Sequence, residues 1–167
     1  MTKKQITVLG IESSCDETSV SIVRKVRSKY LVLSNVVKSQ IDIHKYYGGV
    51  VPELAARAHS DIIDKLILMA LEKAKISFKK IDAIAATAGP GLLGGLLVGV
   101  VAGKTIAHAL NKPFIAVNHL EGHALSIKLE KQIDFPYLLL LVSGGHTEFT
   151  VIKDFNSYKR IGTTIDD

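Results

Sequence analysis

Two histidines at helical spacing are the most chemically suggestive residues of the sequence. His119 and His123 lie four positions apart in the segment His-Leu-Glu-Gly-His. Residues i and i+4 share one helix face, so both imidazoles could reach a single metal ion. A zinc peptidase of the His-Glu-x-x-His type has its general base directly after the first histidine, whereas Glu121 comes two positions later. A metal site and a pair of surface or packing histidines both remain open.

Two short polar turns carry further candidate groups. Asp16 and Glu17 form a carboxylate pair that could act as a general base, hold a cation or simply complete a turn. Residues 143–146, Ser-Gly-Gly-His, could be only a hairpin turn. Paired glycines also let the backbone approach a phosphate or acyl group closely, with its amides as donors. Both turns follow apolar strand-like runs, which suggests a duplicated strand-turn-strand unit.

Two glycine-rich segments resemble nucleotide-binding loops, but each lacks a feature that such a loop requires. Residues 89–94, Gly-Pro-Gly-Leu-Leu-Gly, fit the dinucleotide pattern, but no Asp or Glu occurs between Asp82 and Glu121 to hold a ribose hydroxyl. Residues 99–105 are one residue short of a P-loop, and Lys104 would lie inside a helix instead of at its N-terminus. We therefore reject a Rossmann site and a P-loop.

Four glycines form a stripe at residues 91, 95, 99 and 103. On a helix they make a groove where another backbone can come close, and each interior glycine costs about 1 kcal/mol of helix stability. We expect this groove to pack inside the molecule, against the sheet or the helix that starts at Pro52. A subunit interface is the alternative.

The order of apolar patterns indicates an α/β fold with a mixed sheet. Strands are expected at residues 6–11, 18–24, 30–37, 81–88 and 114–117, and helices at residues 52–70, 92–110 and 119–130. A second series of strands follows at residues 137–142, 147–153 and 158–163. The chain thus divides into a first lobe, residues 1–132, and the opening strands of an incomplete second lobe, residues 133–167.

Composition sets only broad limits. The net charge of +5 and pI near 9.3 permit a nucleic-acid partner without requiring one. A single cysteine fits a reducing compartment, and we expect a cytoplasmic protein. Residues 83–103 lack charge and are long enough to span a bilayer, but the glycines and Pro90 favour strand, turn and buried helix.

Five segments in this order resemble the TsaD family of tRNA adenosine threonylcarbamoyltransferases, and the resemblance covers essentially the whole chain. They are Gly-Ile-Glu-Ser-Ser-Cys-Asp-Glu-Thr at residues 10–18, Gly-Gly-Val-Val-Pro-Glu-Leu-Ala at 48–55, Gly-Pro-Gly-Leu at 89–92, Asn-His-Leu-Glu-Gly-His at 118–123 and Val-Ser-Gly-Gly-His-Thr at 142–147. Leu141 stands where the archaeal and eukaryotic branch has a tyrosine, so the chain is similar to the bacterial or organellar branch.

The resemblance implies an actin-like ATPase (ribonuclease H-like) fold and a chemistry. The reaction would move threonylcarbamoyl from its adenylate to the exocyclic amine of the adenosine next to the tRNA anticodon. By position, His119 and His123 are similar to the family's iron (or zinc) ligands, and Asp16 sits where a cleft acid is expected. The substrate-binding turn would comprise Leu141, Val142, Ser143, Gly144 and Gly145.

The resemblance also implies partners: tRNA, TsaB-like and TsaE-like proteins, and a possible homodimer through the Pro52 and Gly91–Gly103 helices. Family members are about twice as long, and a C-terminal aspartate ligand has no counterpart here. We therefore expect this chain to be inactive by itself. The alternatives are a non-catalytic, partner-binding remnant of the same family and, with less support, a metallopeptidase.

Overall fold

The computed structural model describes residues 5–131, 133–143 and 147–165. The chain forms two compact units, Met1–His119 and Leu120–Asp167. The division falls earlier in the chain than the lobe boundary expected at residue 132.

A five-stranded mixed sheet is the centre of the first unit, and it confirms the predicted α/β class. The strand order is β3-β2-β1-β4-β5, in which β1 pairs antiparallel with β2 and parallel with β4, and β4 pairs parallel with β5. The strands are β1 (Gln5–Glu12), β2 (Glu17–Val26), β3 (Lys29–Ser39), β4 (Ala83–Gly89) and β5 (Phe114–Asn118).

Alternation along the strands gives the sheet two different faces. Successive side chains of a strand point to opposite sides, so Leu9 and Ile11 enter the hydrophobic core while Gly10 and Glu12 face the other way. Helix α2 (Pro52–Lys73) covers the core face with residues at helical spacing. Pro52 occupies the first turn of α2, where its missing N–H is not needed.

Helix α3 (Leu93–Ala109) uses its glycine stripe for internal packing, as expected. A side chain at Gly95 or Gly99 would collide with the backbone or hydroxyl of Ser13, and one at Gly94 would meet Ala56 of α2. The helix therefore lies close to the end of β1. The stripe serves the first unit itself, and the homodimer stays a prediction.

Two helical segments differ from the sequence-based expectation. A short helix α1 (Ile41–His44) and a 3-10 turn (Lys45–Tyr47) precede α2, where no helix was expected. Helix α4 (His119–Ser126) is shorter than the expected residues 119–130, because a 3-10 turn (Ile127–Leu129) replaces its last part.

The second unit contains an antiparallel three-stranded sheet in the order β6-β7-β8. Its strands are β6 (Tyr137–Val142), β7 (Thr147–Asp154) and β8 (Ser157–Thr163). Lys128 places its ammonium group 3.8 Å from the centre of the Phe135 ring, and the rings of Tyr137 and Phe155 lie nearby. This aromatic cluster fastens the segment before β6 to the end of the helical region.

Within the described part of the chain, no helix is both long and apolar enough to cross a membrane.

Candidate functional site

Three parallel strands bring the first candidate residues to one edge of the sheet. Glu12 is the last residue of β1, Thr87 lies near the end of β4, and His119 directly follows β5. The carboxyl ends of parallel strands meet at a common edge, which is where α/β proteins place their ligands. Residues 75 and 107 positions apart in the chain are thereby brought into contact.

Glu12 is the centre of this arrangement. Its Oε1 accepts the backbone N–H of Ser14 at 2.5 Å, and its Oε2 accepts the Thr87 hydroxyl at 2.6 Å. Nδ1 of His119 lies 3.2 Å from the same Oε2 and 3.2 Å from the Ser14 hydroxyl. Both side chains keep about a third of their surface exposed, so the pair is open to a ligand.

The hydrogen bonds shift the pKa values of Glu12 and His119 in opposite directions. Burial by itself would raise the pKa of the Glu12 carboxyl, but hydrogen bonds from His119, Ser14 and Thr87 outweigh burial and lower this pKa to about 2. The hydrogen bond to Glu12 raises the pKa of His119, although burial acts in the opposite direction. Glu12 is therefore an ionised acceptor throughout the physiological range.

The contact between Glu12 and His119 fits a histidine that serves as a metal ligand. Histidines that bind metals usually donate their second ring N–H to a carboxylate, a backbone carbonyl or a water, which fixes the ring and its tautomer. Because Nδ1 faces Glu12, coordination by His119 would use Nε2. Helix α4 carries both His119 and His123 at the expected spacing.

No cluster of three or more His, Cys, Asp or Glu side chains suited to a metal ion occurs among the residues that the structure describes. Two histidines make an incomplete ligand set, since a stable site generally has three or four protein ligands. Metal binding by His119 and His123 stays a prediction.

Hydrogen bonds hold three consecutive carbonyl groups of the turn between β1 and β2. The Ser14 carbonyl accepts the N–H of Leu92 at 2.7 Å, and the Asp16 carbonyl accepts the N–H of Gln40 at 3.0 Å. Nε2 of His59 lies 3.0 Å from the Cys15 carbonyl oxygen. Asp16 is half-buried on this fixed turn, whereas Cys15 is exposed.

The residues of the predicted substrate-binding turn occupy the end of β6 and the position after it. Leu141 is buried, and Val142 and Ser143 are exposed. Gly144 and Gly145 lie outside the described residues. Elsewhere in this unit, Glu121 accepts a hydrogen bond from the Tyr158 hydroxyl.

A small open cavity lies on the outer face of the first sheet, with a volume of ≈ 170 Å³. Most of the residues that line it are small, and Glu12 and Thr87 lie at one end. The cavity is lined by Gly10, Ile11, Glu12, Ser19, Ser21, Ala85, Ala86, Thr87 and Val117.

The sequence indicates His119 and Asp16 as candidates, but not Glu12, which contacts His119, or His59, which contacts the Cys15 carbonyl next to Asp16. Glu12 carries a signal that could have found it, because it is the only charged residue of β1 and lies at the end of that strand. No such signal marks His59, because a histidine on the apolar face of a helix usually indicates a packing residue. The contacts of Glu12 depend on how strands distant in sequence align, and the contact of His59 with Cys15 depends on how α2 packs against the sheet.

Comparison with known proteins gives one consistent result. The family model described as "TsaD: tRNA N6-adenosine threonylcarbamoyltransferase" matches residues 31–167. A tRNA N6-adenosine threonylcarbamoyltransferase of Bartonella bacilliformis is 60% identical over 161 residues, covering 96% of this chain and 44% of that protein. The protein of the same name from Pelagibacter ubique is 57% identical over 168 residues, covering 100% of this chain and 47% of its own length.

Among solved structures, an uncharacterised Pseudomonas aeruginosa protein with similarity to peptidase YEAZ is similar in fold. It aligns with a TM-score of 0.61 at 19% identity, covering 94% of this chain and 64% of its own. At that identity the likeness concerns the fold alone, and it agrees with the predicted architecture. The chain spans less than half of the length of the two curated relatives described above.

Proposed function

Because this chain belongs to the TsaD family of tRNA N6-adenosine threonylcarbamoyltransferases, we propose that it supplies part of the active site of such an enzyme. The reaction is acyl transfer: the exocyclic amine of the adenosine next to the tRNA anticodon attacks the carbamoyl carbonyl of threonylcarbamoyl-adenylate. A C–N bond forms, the bond to the adenylate phosphate breaks, and the amine loses a proton.

The observation that carries this proposal is the contact of His119 with Glu12 at the carboxyl edge of the sheet, beside Thr87 and Ser14. Glu12 holds the imidazole of His119 in one orientation, so that Nε2 is the atom offered to a ligand. A fixed group can stabilise developing charge without reorganising during the reaction.

His119 and His123 are the residues that would hold the iron (or zinc) ion. Such an ion would act as a Lewis acid that polarises a carbonyl or phosphoryl oxygen. The chain's own contribution is to keep His119 oriented through Glu12, and to present His123 from the same helix α4.

Asp16 is the proposed cleft acid. Its backbone is fixed by Gln40, and its half-buried carboxylate is an acceptor suited to the proton that the amine releases. Leu141, Val142, Ser143, Gly144 and Gly145 are proposed to bind the adenylate substrate. Backbone amides beside glycine are well suited to phosphate and acyl oxygens.

The proposed partners follow from the family. tRNA is the substrate, and TsaB-like and TsaE-like proteins are the proposed protein partners. A YEAZ-like protein shares the fold of this chain, and a TsaB-like protein is the first protein partner to test. A homodimer through α2 and α3 is a further proposed assembly.

Transfer can be tested by joining residues 1–167 to the remaining segment of the Bartonella bacilliformis relative. The joined protein would be incubated with threonine, bicarbonate, ATP, an adenylate-forming enzyme, partner proteins and tRNA, and the modified nucleoside measured by mass spectrometry. We expect threonylcarbamoyladenosine from the parent and at least about 100-fold less from its Asp16→Asn variant. A Glu130→Gln variant, changed at an exposed side chain outside α2 and α3, serves as the matched control. An inactive parent beside an active native relative would overturn the proposal.

A further inference from the structure

Four hydrogen bonds run in one direction from the start of helix α2 to the turn that carries Asp16. The N–H of Val51 donates to Nδ1 of His44 at 3.3 Å, and Nε2 of His44 donates to Oε1 of Gln40 at 3.1 Å. Nε2 of Gln40 then lies 3.2 Å from Nδ1 of His59, and Nε2 of His59 lies 3.0 Å from the Cys15 carbonyl.

The endpoints of this series fix the direction of every bond within it. A backbone N–H can only donate and a carbonyl oxygen can only accept. His44 therefore accepts at Nδ1 and donates from Nε2, and His59 does the same. The hydroxyl of Thr18, 2.7 Å from Nδ1 of His59, supplies a second donor to that acceptor. Both imidazoles are thus held as the neutral form protonated at Nε2.

Burial makes His59 a stiff support. Its side chain is 0% exposed, and helix α3 approaches it so closely that a Cβ at Gly95 would lie 3.1 Å from two of its ring atoms. Burial also lowers the pKa of His59, in keeping with a neutral ring. A buried series of aligned hydrogen bonds strengthens each member, because every bond polarises the next.

We propose that His59 is a positioning residue for the acid of the site: its Nε2–H holds the Cys15 carbonyl and thereby fixes the peptide that joins Cys15 to Asp16. The peptide unit is planar, so fixing its oxygen also fixes the direction of the Asp16 N–H and the start of its side chain. Gln40 holds the next carbonyl, that of Asp16, through its own backbone N–H. This inference rests on the proposed function for the role of Asp16, but the geometry of the turn can be measured separately.

Cys15 provides the measurement, because it is the only cysteine of the chain and is exposed on the same peptide. Burial and the neighbouring Asp16 carboxylate raise the pKa of the Cys15 thiol. When the turn loosens, the exposed thiol moves away from the Asp16 carboxylate. More thiolate then forms at pH 7.5, and alkylation by iodoacetamide becomes faster.

Two substitutions distinguish the role of Nε2 of His59 from the role of Nδ1. His59→Asn keeps an acceptor near the position of Nδ1, for Thr18 and Gln40, but has no donor that reaches Cys15. His59→Gln keeps a donor near the position of Nε2. We expect His59→Asn to increase the alkylation rate of Cys15 several-fold, and His59→Gln to stay near the wild-type rate. Thr18→Val is the control: it removes a bond to Nδ1, so it lowers the unfolding temperature without changing the alkylation rate.

In the joined enzyme described above, we expect His59→Asn to lower kcat at least about 10-fold with KM nearly unchanged, and His59→Gln to restore most of it. Equal alkylation rates in the Asn variant and the wild type would overturn the inference, and so would equal acceleration in all three variants. If circular dichroism shows that the His59→Asn variant is unfolded, the His59→Gln variant alone decides. Faster alkylation of Cys15 in a folded His59→Gln variant would then overturn the inference. If the parent shows no transfer while the alkylation rates follow the expected order, the proposed function fails and the positioning role stands.

Discussion

The Nδ1 atom of His119 lies 3.2 Å from Oε2 of Glu12, although the two residues are 107 positions apart in the chain. The contact exists because β1, β4 and β5 run parallel, and their ends bring Glu12 and the first residue of α4 to one place. It gives the histidine of the predicted metal site an ionised partner.

Replacing Glu12 by Gln should weaken metal binding. The amide is uncharged and a poorer acceptor for the ring N–H, so we expect the affinity for Zn²⁺ to fall about 10-fold to 100-fold. Isothermal titration of the 167-residue chain would measure it, with Glu53→Gln as the matched control. His119→Ala and His123→Ala should each remove the binding, and zinc retained at wild-type affinity in His119→Ala would contradict the assignment.

The same pair should make stability depend on pH in two opposite ways. The pKa of Glu12 is lowered from 4.5 to about 2, so its contribution is lost as the pH falls between those values. The pKa of His119 is raised above 6.5, so its contribution is full below 6.5 and is lost as the pH rises through the folded-state value. Compared with Glu12→Gln, the wild type should have its largest excess of unfolding free energy between pH 4.5 and 6.5. Denaturant unfolding at a series of pH values would test this, and a constant excess from pH 3 to 8 would refute it.

A methyl group at Gly99 should destabilise the first unit. It would collide with the Ser13 hydroxyl beside the candidate site, and overpacking of this kind costs about 1–3 kcal/mol. Gly122→Ala in α4 is the control, because nothing lies within 4 Å of the added atom and alanine favours helix by about 1 kcal/mol. Urea denaturation gives both values. Equal stability of the two variants would show that the close approach of α3 to Ser13 is absent in solution.

Removing the charge of Lys128 should loosen the second unit. The ammonium group lies over the Phe135 ring and donates to the Ile133 carbonyl, and a cation over an aromatic ring is worth about 0.5–2 kcal/mol. Lys128→Met should therefore speed amide hydrogen exchange in β6, as measured by mass spectrometry. Lys131→Met, at a nearby exposed position, should leave exchange unchanged.

Much of the fold follows from local patterns. The apolar runs that became β1, β2 and β3, and the stripe from Leu54 to Ala70 in α2, specify their elements through periodicity alone. Helix α1 was not predicted, because four residues contain barely one turn and show no period. Helix α4 ends at Ser126 instead of residue 130, and helix ends are where local patterns discriminate least.

The candidate site was predictable only where its signal is local. The spacing of His119 and His123 can be read within five residues. The partners Glu12 and Thr87 depend on the register of β1, β4 and β5, which aligns Ile11 with Ala86 and Thr87 with Val117. The support of Cys15 by His59 likewise needs α2 to pack on the sheet, so no short window of sequence contains it.

The central place of β1 in its sheet has a consequence for synthesis on the ribosome. The backbone groups on one edge of β1 can form hydrogen bonds early in synthesis, because β2 follows β1 after a short turn. The other edge pairs with β4, so its backbone groups stay unpaired until residues 83–89 have been translated and have left the exit tunnel. At about 5–20 residues per second this interval lasts several seconds. Throughout it the nascent protein presents an open strand edge beside Leu9 and Ile11, and this is the stage at which chaperone binding or aggregation would compete with folding.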